Sequence, residues 1–336
     1  MGEAEGGRLI FLLTTLFVLL LGGCKQQDAP KVEPVALESV AICHGTTALL
    51  PLVVAEKQGF FSEQGLTVMA REFTMGRDAL ENMLRGECDL ATAAEPPVVE
   101  YAFQRDDFRI ISALQSSDNM IRIVARADRG IAAPKDLRGK RIGTVKGTNA
   151  HYFVDLFLAQ HGLTSKEVAL AFMKSDELLG ALTSGQVDAI AMTNKVIAQA
   201  QHDLGDRAVL MEEPALYRSF LMLLATTDLL KKRPALAEKF LRALAQAEDF
   251  IRQRPDEAQA LVLASKQATS GEIKQLLEIY QYQLTLDHAL LMGLEDTARW
   301  TLQQGGDSQR PVPNFLKLIA ADPLRAVRPE AVKLEK

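Results

Sequence analysis

The chain has 336 residues, 48% of them hydrophobic, with 38 Lys and Arg against 43 Asp and Glu for a formal charge of −5. A single hydrophobic core stops growing near about 250–300 residues, so this length calls for two lobes. The acidic balance and the lack of a Lys/Arg cluster argue against nucleic acid as a partner, because that needs a basic stripe to displace counterions.

Arg8, the apolar run Leu9–Leu21 and the small residues Gly22 and Gly23 ahead of Cys24 stand in the order of an export signal. As a helix the run reaches roughly 20 Å, short of the roughly 30 Å of a hydrocarbon core, so it is a leader rather than a span. Leu21-Gly22-Gly23-Cys24 resembles the lipobox of bacterial lipoprotein precursors, although Glu3 and Glu5 offset Arg8. That resemblance implies removal of residues 1–23, lipid on the Cys24 thiol, and a membrane-anchored location in the cell envelope. Residues 24–35 then read as a polar, proline-containing tether.

Glu38–His44 is a short β-rich run broken by Gly45-Thr46-Thr47, and Leu49–Gln58 follows with helical spacing, Pro51 in its first turn and Gly59 past its end. Leu66–Phe73 reads as a second strand, Arg77–Arg85 as a helix stopped by Gly86, and Cys88–Ala94 as a third strand. Strand–helix–strand alternation implies parallel pairing with right-handed crossovers, hence an α/β lobe. The same grammar recurs about a hundred residues later. Arg141–Val145 is a strand broken by Gly147-Thr148-Asn149, Tyr152–Gln160 is a helix closed by Gly162, and Val187–Met192 is a strand after a helix that Ser175 opens and Gly185 ends.

The parallel is closest between Leu84-Arg85-Gly86-Glu87-Cys88-Asp89-Leu90-Ala91 and Thr183-Ser184-Gly185-Gln186-Val187-Asp188-Ala189-Ile190. Both run helix, glycine stop, aspartate, apolar strand, which predicts duplicated lobes. The apolar segments Asn119–Ala127 and Phe220–Thr226 are the expected crossings between them. Lobe one is assigned 36–120 and 222–330, and lobe two 121–221. From Thr227 on, the pattern changes to amphipathic helices, Ala235–Arg254, Asp256–Lys266, Ile273–Leu284 and Leu290–Gln303, expected to pack back on lobe one.

An oxidising exterior makes a Cys43–Cys88 bridge worth weighing. With Cys43 near the end of one parallel strand and Cys88 at the start of its neighbour, however, about 3.3 Å per residue puts them beyond the roughly 7 Å limit. Two free, buried thiols are expected.

In open α/β sheets ligands sit beyond the carboxyl ends of strands. That rule selects Gly45-Thr46-Thr47 and Glu95-Pro96-Pro97 in lobe one, and Gly147-Thr148-Asn149 and Thr193-Asn194 in lobe two, all facing one cleft. Each Gly-Thr turn offers backbone N–H groups at the positive end of a helix, suited to a small anion, although threonine there also serves simply as a cap. Glu95, a carboxylate ending an apolar strand, is costly to bury unpaired, so it either receives a ligand donor or is salt-bridged or solvated. Asn119 and Tyr217, near the two crossings, are further candidates for ligand contact or ordinary surface residues.

No catalytic set stands out. His44, His151, His161, His202 and His288 lack metal-ligand spacing, and no CxxC or G-x-S-x-G occurs. Lys146 precedes rather than follows the second glycine of Gly143–Thr148, which is not a phosphate loop. Cys43 and His44 are strand neighbours pointing to opposite faces and cannot act as nucleophile and base. The reading is of a non-enzymatic protein with no cofactor and no metal.

The segments Leu50–Phe61, Gly65–Val68, Gly86–Ala91, Pro134–Gly143 and Gly185–Ala189, taken as an ordered series, resemble the periplasmic solute-binding proteins of ABC importers. The subgroup is that of nitrate, sulfonate and taurine binders, with thiamine-precursor binders alongside. The resemblance implies an α/β, two-lobed fold closing on its ligand, permease and ATPase partners on other chains, and a monomer. By position it implies ligand contacts from Thr46, Thr47, Glu95, Asn119, Gly147, Thr148, Asn149 and Thr193. No arginine stands in these turns and Glu95 would repel a simple anion, which favours a zwitterion such as taurine or a nitrogen heterocycle. The alternatives are a pyrimidine binder, a ligand-sensing module for a membrane receptor, and a pyrimidine-synthase-like enzyme.

Overall fold

The strands sort into two mixed sheets. The computed structural model describes residues 37–45, 49–265, 269–307 and 309–334. The leader, Cys24, the tether, Thr46 and Thr47 lie outside these residues. Lobe one opens with β1 (Glu38–Gly45), α1 (Leu49–Lys57), α2 (Phe60–Glu63), β2 (Leu66–Phe73), α3 (Gly76–Leu84), β3 (Leu90–Ala93), α4 (Glu95–Ala102) and β4 (Phe108–Ser117). Lobe two comprises β5 (Ile121–Arg126), β6 (Arg141–Thr144), α5 (Asn149–Gln160), β7 (Ala169–Phe172), α6 (Ser175–Thr183), β8 (Ala189–Thr193), α7 (Asn194–Leu204) and β9 (Ala208–Met211). The chain then returns through β10 (Ser219–Thr226) to a run of helices interrupted by one strand: α8 (Thr227–Lys232), α9 (Pro234–Gln253), α10 (Pro255–Ala264), α11 (Ser270–Ile279), β11 (Gln281–Thr285), α12 (His288–Gly305), α13 (Phe315–Leu318) and α14 (Asp322–Val327).

Among the described residues the first sheet has six strands in the order β11-β4-β10-β3-β1-β2, and the second five in the order β7-β6-β8-β5-β9. In each, a central strand pairs in parallel with two neighbours, β1 with β2 and β3, and β6 with β7 and β8. An antiparallel strand follows on the far side, β10 in one and β5 in the other. The predicted duplication is therefore visible as topology.

It is also visible in one repeated contact. Asp89 donates its backbone N–H to the Ala41 carbonyl at 2.9 Å and accepts the Ala41 N–H on Oδ2 at 2.8 Å. Asp188 does the same to Arg141, at 2.9 Å in both directions. The glycine before each aspartate, Gly86 at φ 82° and Gly185 at φ 78°, supplies the left-handed residue that ends the helix and turns the chain into this clamp.

Three expectations are corrected. Asn119–Ala127 and Phe220–Thr226 belong largely to the regular strands β5 and β10, and the chain crosses instead at 118–120 and 212–218. An apolar β run is what a central strand requires, and β10 is buried from Ser219 to Ala225 between β3 and β4. The crossings themselves are short and polar, tied together by Arg218 donating to both oxygens of Asp118 at 2.6 and 2.7 Å.

The helix expected over Ile273–Leu284 stops at Ile279, and Gln281–Thr285 forms the edge strand β11, with Tyr282 opposite Gln115 of β4. Alternation of Tyr and Gln there has a period of two rather than 3.6.

Cys43 and Cys88 are not free thiols. They form a disulfide with Cα atoms 5.8 Å apart. β3 begins at Leu90, so Cys88 lies in the turn after α3 rather than in a strand, and the Asp89 clamp on Ala41 draws that turn across β1.

Lobe one's core gathers β1, β3, β4 and β10 under α1, α9 and α12, including Phe108, Phe240 and Leu294. Lobe two's apolar clusters form around α5, α6 and α7. α12 joins the two. Leu290, Leu294 and Ala298 sit in the lobe-one core, while Trp300 packs into the cluster of lobe two.

Candidate ligand site

The carboxyl ends of the strands in both sheets face one cavity of about 410 Å³. Lobe one contributes Gly45 from the end of β1, Thr74, Met75 and Gly76 between β2 and α3, and Ala94 between β3 and α4. Lobe two contributes Thr148, Asn149 and Ala150 at the start of α5, and Thr193, Asn194 and Lys195 at the start of α7. The strand-end rule thus brings its four selected groups, or the residues beside them, to one place. Thr74–Gly76 was missed, although the same rule applied to the end of Leu66–Phe73 finds it.

Among the described residues, four helices begin at this cavity without a side-chain cap. α3, α4, α5 and α7 start after Met75, Ala94, Thr148 and Thr193, without a side-chain hydrogen bond to the first turn. Thr148, for which ligand contact and helix capping are the two sequence readings, lines the cavity and donates its hydroxyl to the Val145 carbonyl at 2.7 Å rather than capping α5. α3, α5 and α7 therefore present first-turn N–H groups and positive dipole ends to the cavity, which favours negative charge, whereas in α4 Pro96 and Pro97 carry no N–H and Glu95 places a carboxylate in the first turn.

Glu95 stands elsewhere. It is the first residue of α4, an assignment that Pro96 and Pro97 at a first helical turn would have signalled, and it is fully buried. Phe220 donates its backbone N–H to Oε1 at 2.7 Å. Oε2 accepts from Tyr217 Oη at 3.1 Å, Ser219 Oγ at 3.4 Å and Asn149 Nδ2 at 3.3 Å. Burial pushes its pKa up to about 7 against these hydrogen bonds. Tyr217, raised well above its usual value first by burial and then by the Glu95 charge, belongs to the same cluster. Neither residue lines the cavity, and Asn149 is the member that does.

The remaining candidates divide. The Asn119 carbonyl accepts from Asn194 Nδ2 at 3.0 Å, so Asn119 steadies a cavity residue while its neighbour Met120 forms the wall. Gly147, at φ 69°, borders a separate crevice of about 80 Å³ with Lys146, His151 and Trp300. There Trp300 donates its indole N–H to Asp155 at 2.7 Å, an interlobe bond that sequence spacing gave no means of finding.

The rest of the cavity wall is mostly apolar, with Gln115 and Ser219 the polar side chains in it. Met192 lies near the end of β8, Met120 and Ile121 stand at the start of β5, Phe220 and Leu221 come from β10, and Leu276 and Ile279 come from the end of α11 with Tyr280 just past it. No histidine, cysteine or carboxylate is among the described residues that line it. Nor, among the described residues, does any cluster of three His, Cys, Asp or Glu side chains stand ready for a metal.

The family described as NMT1/THI5 like matches residues 46–258. The chain belongs to this family. Its NMT1/THI5-like relatives include a candidate aliphatic sulfonates-binding protein of Bacillus subtilis, 25% identical over 274 residues and covering 80% of this chain and 81% of that protein. Another is 4-amino-5-hydroxymethyl-2-methylpyrimidine phosphate synthase of Aspergillus parasiticus, 24% identical, covering 63% of this chain and 65% of that protein. In fold, this NMT1/THI5-like chain is similar to the periplasmic aliphatic sulphonate binding protein SsuA of Escherichia coli, with a TM-score of 0.70 at 17% identity over 84% of this chain and 97% of that one. The two-lobed architecture of periplasmic binding proteins is thereby shown.

Proposed function

We propose that the protein is the extracytoplasmic solute-binding component of an ABC importer, anchored by lipid on Cys24, and that it captures a small organic anion for a permease and ATPase on other chains. The observation that carries this reading is the convergence on one cavity of three uncapped helix N-termini, α3 from lobe one and α5 and α7 from lobe two. A ligand touching both lobes stabilises the closed arrangement over the open one by its differential affinity, which is the two-state capture that delivery requires. Micromolar affinity asks for roughly −8 kcal/mol net.

The placement of Glu95 revises the expected ligand. Its oxygens are taken up by the crossing and by Asn149, so the preference for a zwitterion, which rested on a carboxylate in the cleft, loses its basis. An organosulfonate or comparable organic anion fits better. The synthase relative raises an enzymatic alternative; what speaks for binding is that no histidine, cysteine or carboxylate is among the described residues that line the cavity.

A thermal-shift screen over alkane- and arylsulfonates, taurine, pyrimidines and nitrate tests the reading. A ligand at 100 times its Kd adds about 2.7 kcal/mol of stability. Stabilisation by organic sulfonates is the expected result; stabilisation by neutral pyrimidines alone would overturn it.

A further inference from the structure

We propose that the cavity is divided into a head compartment and a tail compartment, and that Leu276, Ile279 and Tyr280 select the bound anion by its apolar tail. The inference rests on the functional reading above and deepens it.

Sheet order supplies the division. Along the first sheet the cavity runs past β1, β3, β10, β4 and β11 in turn. Adjacent strands lie about 4.8 Å apart, so the row spans on the order of 19 Å. The uncapped start of α3 follows β2, at the β1–β3 end, and that of α5 reaches the same end, where Asn149 bonds to Glu95 at the start of α4; the start of α7 lies between the two ends, with Thr193 opposite Ile121. The β1–β3 end thus holds the first-turn N–H groups of α3 and α5.

At the other end the wall changes character. Leu221 of β10 and the trio at the junction of α11 and β11 close it from lobe one, while Met120 and Ile121 of lobe two stand beside the α7 start, between the two ends. Gln115 of β4 supplies a polar side chain on this side. Leu276, Ile279 and Tyr280 are half-buried with the cavity beside them, and they lead directly into β11, the edge strand of the first sheet. A cavity of 410 Å³ falls in the range of about 300–1,000 Å³ that drug-sized ligands fill. A headgroup alone leaves the α11 end empty, whereas an alkyl or aryl extension covers these side chains.

Isothermal titration with methane-, propane- and hexanesulfonate reads the tail compartment directly. Wild-type affinity should rise about fourfold per added methylene, the factor that corresponds to about 0.8 kcal/mol at 1.36 kcal/mol per decade. In the double variant Leu276→Ala, Ile279→Ala the rise should fall below about twofold per methylene, with methanesulfonate affinity unchanged. Ile279→Trp, which fills the compartment without leaving a void, should weaken hexanesulfonate by more than about tenfold and spare methanesulfonate. Affinity independent of tail length in the wild type, or variants that weaken all three sulfonates alike, would overturn the proposal while leaving anion capture standing. If the wild type binds none of the three, the functional reading fails and this inference with it.

Discussion

Asn149 and Glu95, one from each lobe, meet at 3.3 Å through Nδ2 and Oε2, and Asn149 lines the ligand cavity while Glu95 is sealed behind it. The same amide also donates to Tyr217 Oη at 2.7 Å and Ser219 Oγ at 2.8 Å, so a cavity residue, a crossing and the first turn of α4 share one polar cluster. Low dielectric makes such a cluster valuable when satisfied and costly when broken.

Glu95 gives the protein a stability that falls with rising pH. Its folded pKa of about 7 lies above the ordinary 4.5, so the folded state holds this proton more tightly than the unfolded chain does. The contribution is fully present below pH 4.5, is lost as pH rises to about 7, and is flat beyond, a change on the order of 3 kcal/mol. Urea unfolding at pH 5 and pH 8 measures it, and Glu95→Gln should remove most of the difference.

Tyr217→Phe should destabilise the protein by about 1–3 kcal/mol, because the hydroxyl both donates to Glu95 and accepts from Asn149 in a buried site. The ring volume is kept, so a change below a few tenths of a kcal/mol in the unfolding free energy would show that water replaces the hydroxyl without cost.

Reduction of Cys43–Cys88, or the double change to alanine, should cost about 4 kcal/mol, the chain-entropy value for a bridge spanning 45 residues. Thiol titration of the denatured protein should release both sulfhydryls only after reductant.

Asp89→Ala and Asp188→Ala should have similar effects, each about 1.5–3 kcal/mol, since each aspartate accepts a strand N–H in the same clamp. Strongly unequal losses would mean that Arg233, which donates to Asp89 at 3.1 Å, carries most of the contribution in lobe one.

Trp300 is the single tryptophan of the chain and reaches from a lobe-one helix into lobe two. Ligand-driven movement of the lobes should therefore alter its emission, and Trp300→Phe should abolish the signal.

The lobes were legible because their signals are local: glycine stops, strand alternation and the Gly-x-x-Asp spacing at Gly86 and Gly185 each depend on a few adjacent residues. Long-range placement was not. The cysteines were misjudged because a two-residue error in where β3 starts moves Cys88 out of the ladder and into a turn. The sequence marks Glu95 as a carboxylate for a ligand donor, an ion pair or solvent; its partners come instead from residues 149 and 217–220, which only the crossing brings near. β11 was hidden because five residues after an amphipathic helix continue its composition while changing its period. The apolar wall from α11 had no sequence signal, since it enters the cavity only through the order of strands in the first sheet.

Ser117 and Ser219 face each other at the last rung of the β4–β10 ladder. Everything from residue 118 to 218 thus occupies the place of a hairpin turn in lobe one, as a guest domain spliced into a host. Exchanging that insert for a tight two-residue turn keeps the sequence of all six host strands but takes away Tyr217 and Asn149, so the host's buried acid, Glu95, is held in part by groups on loan from the guest.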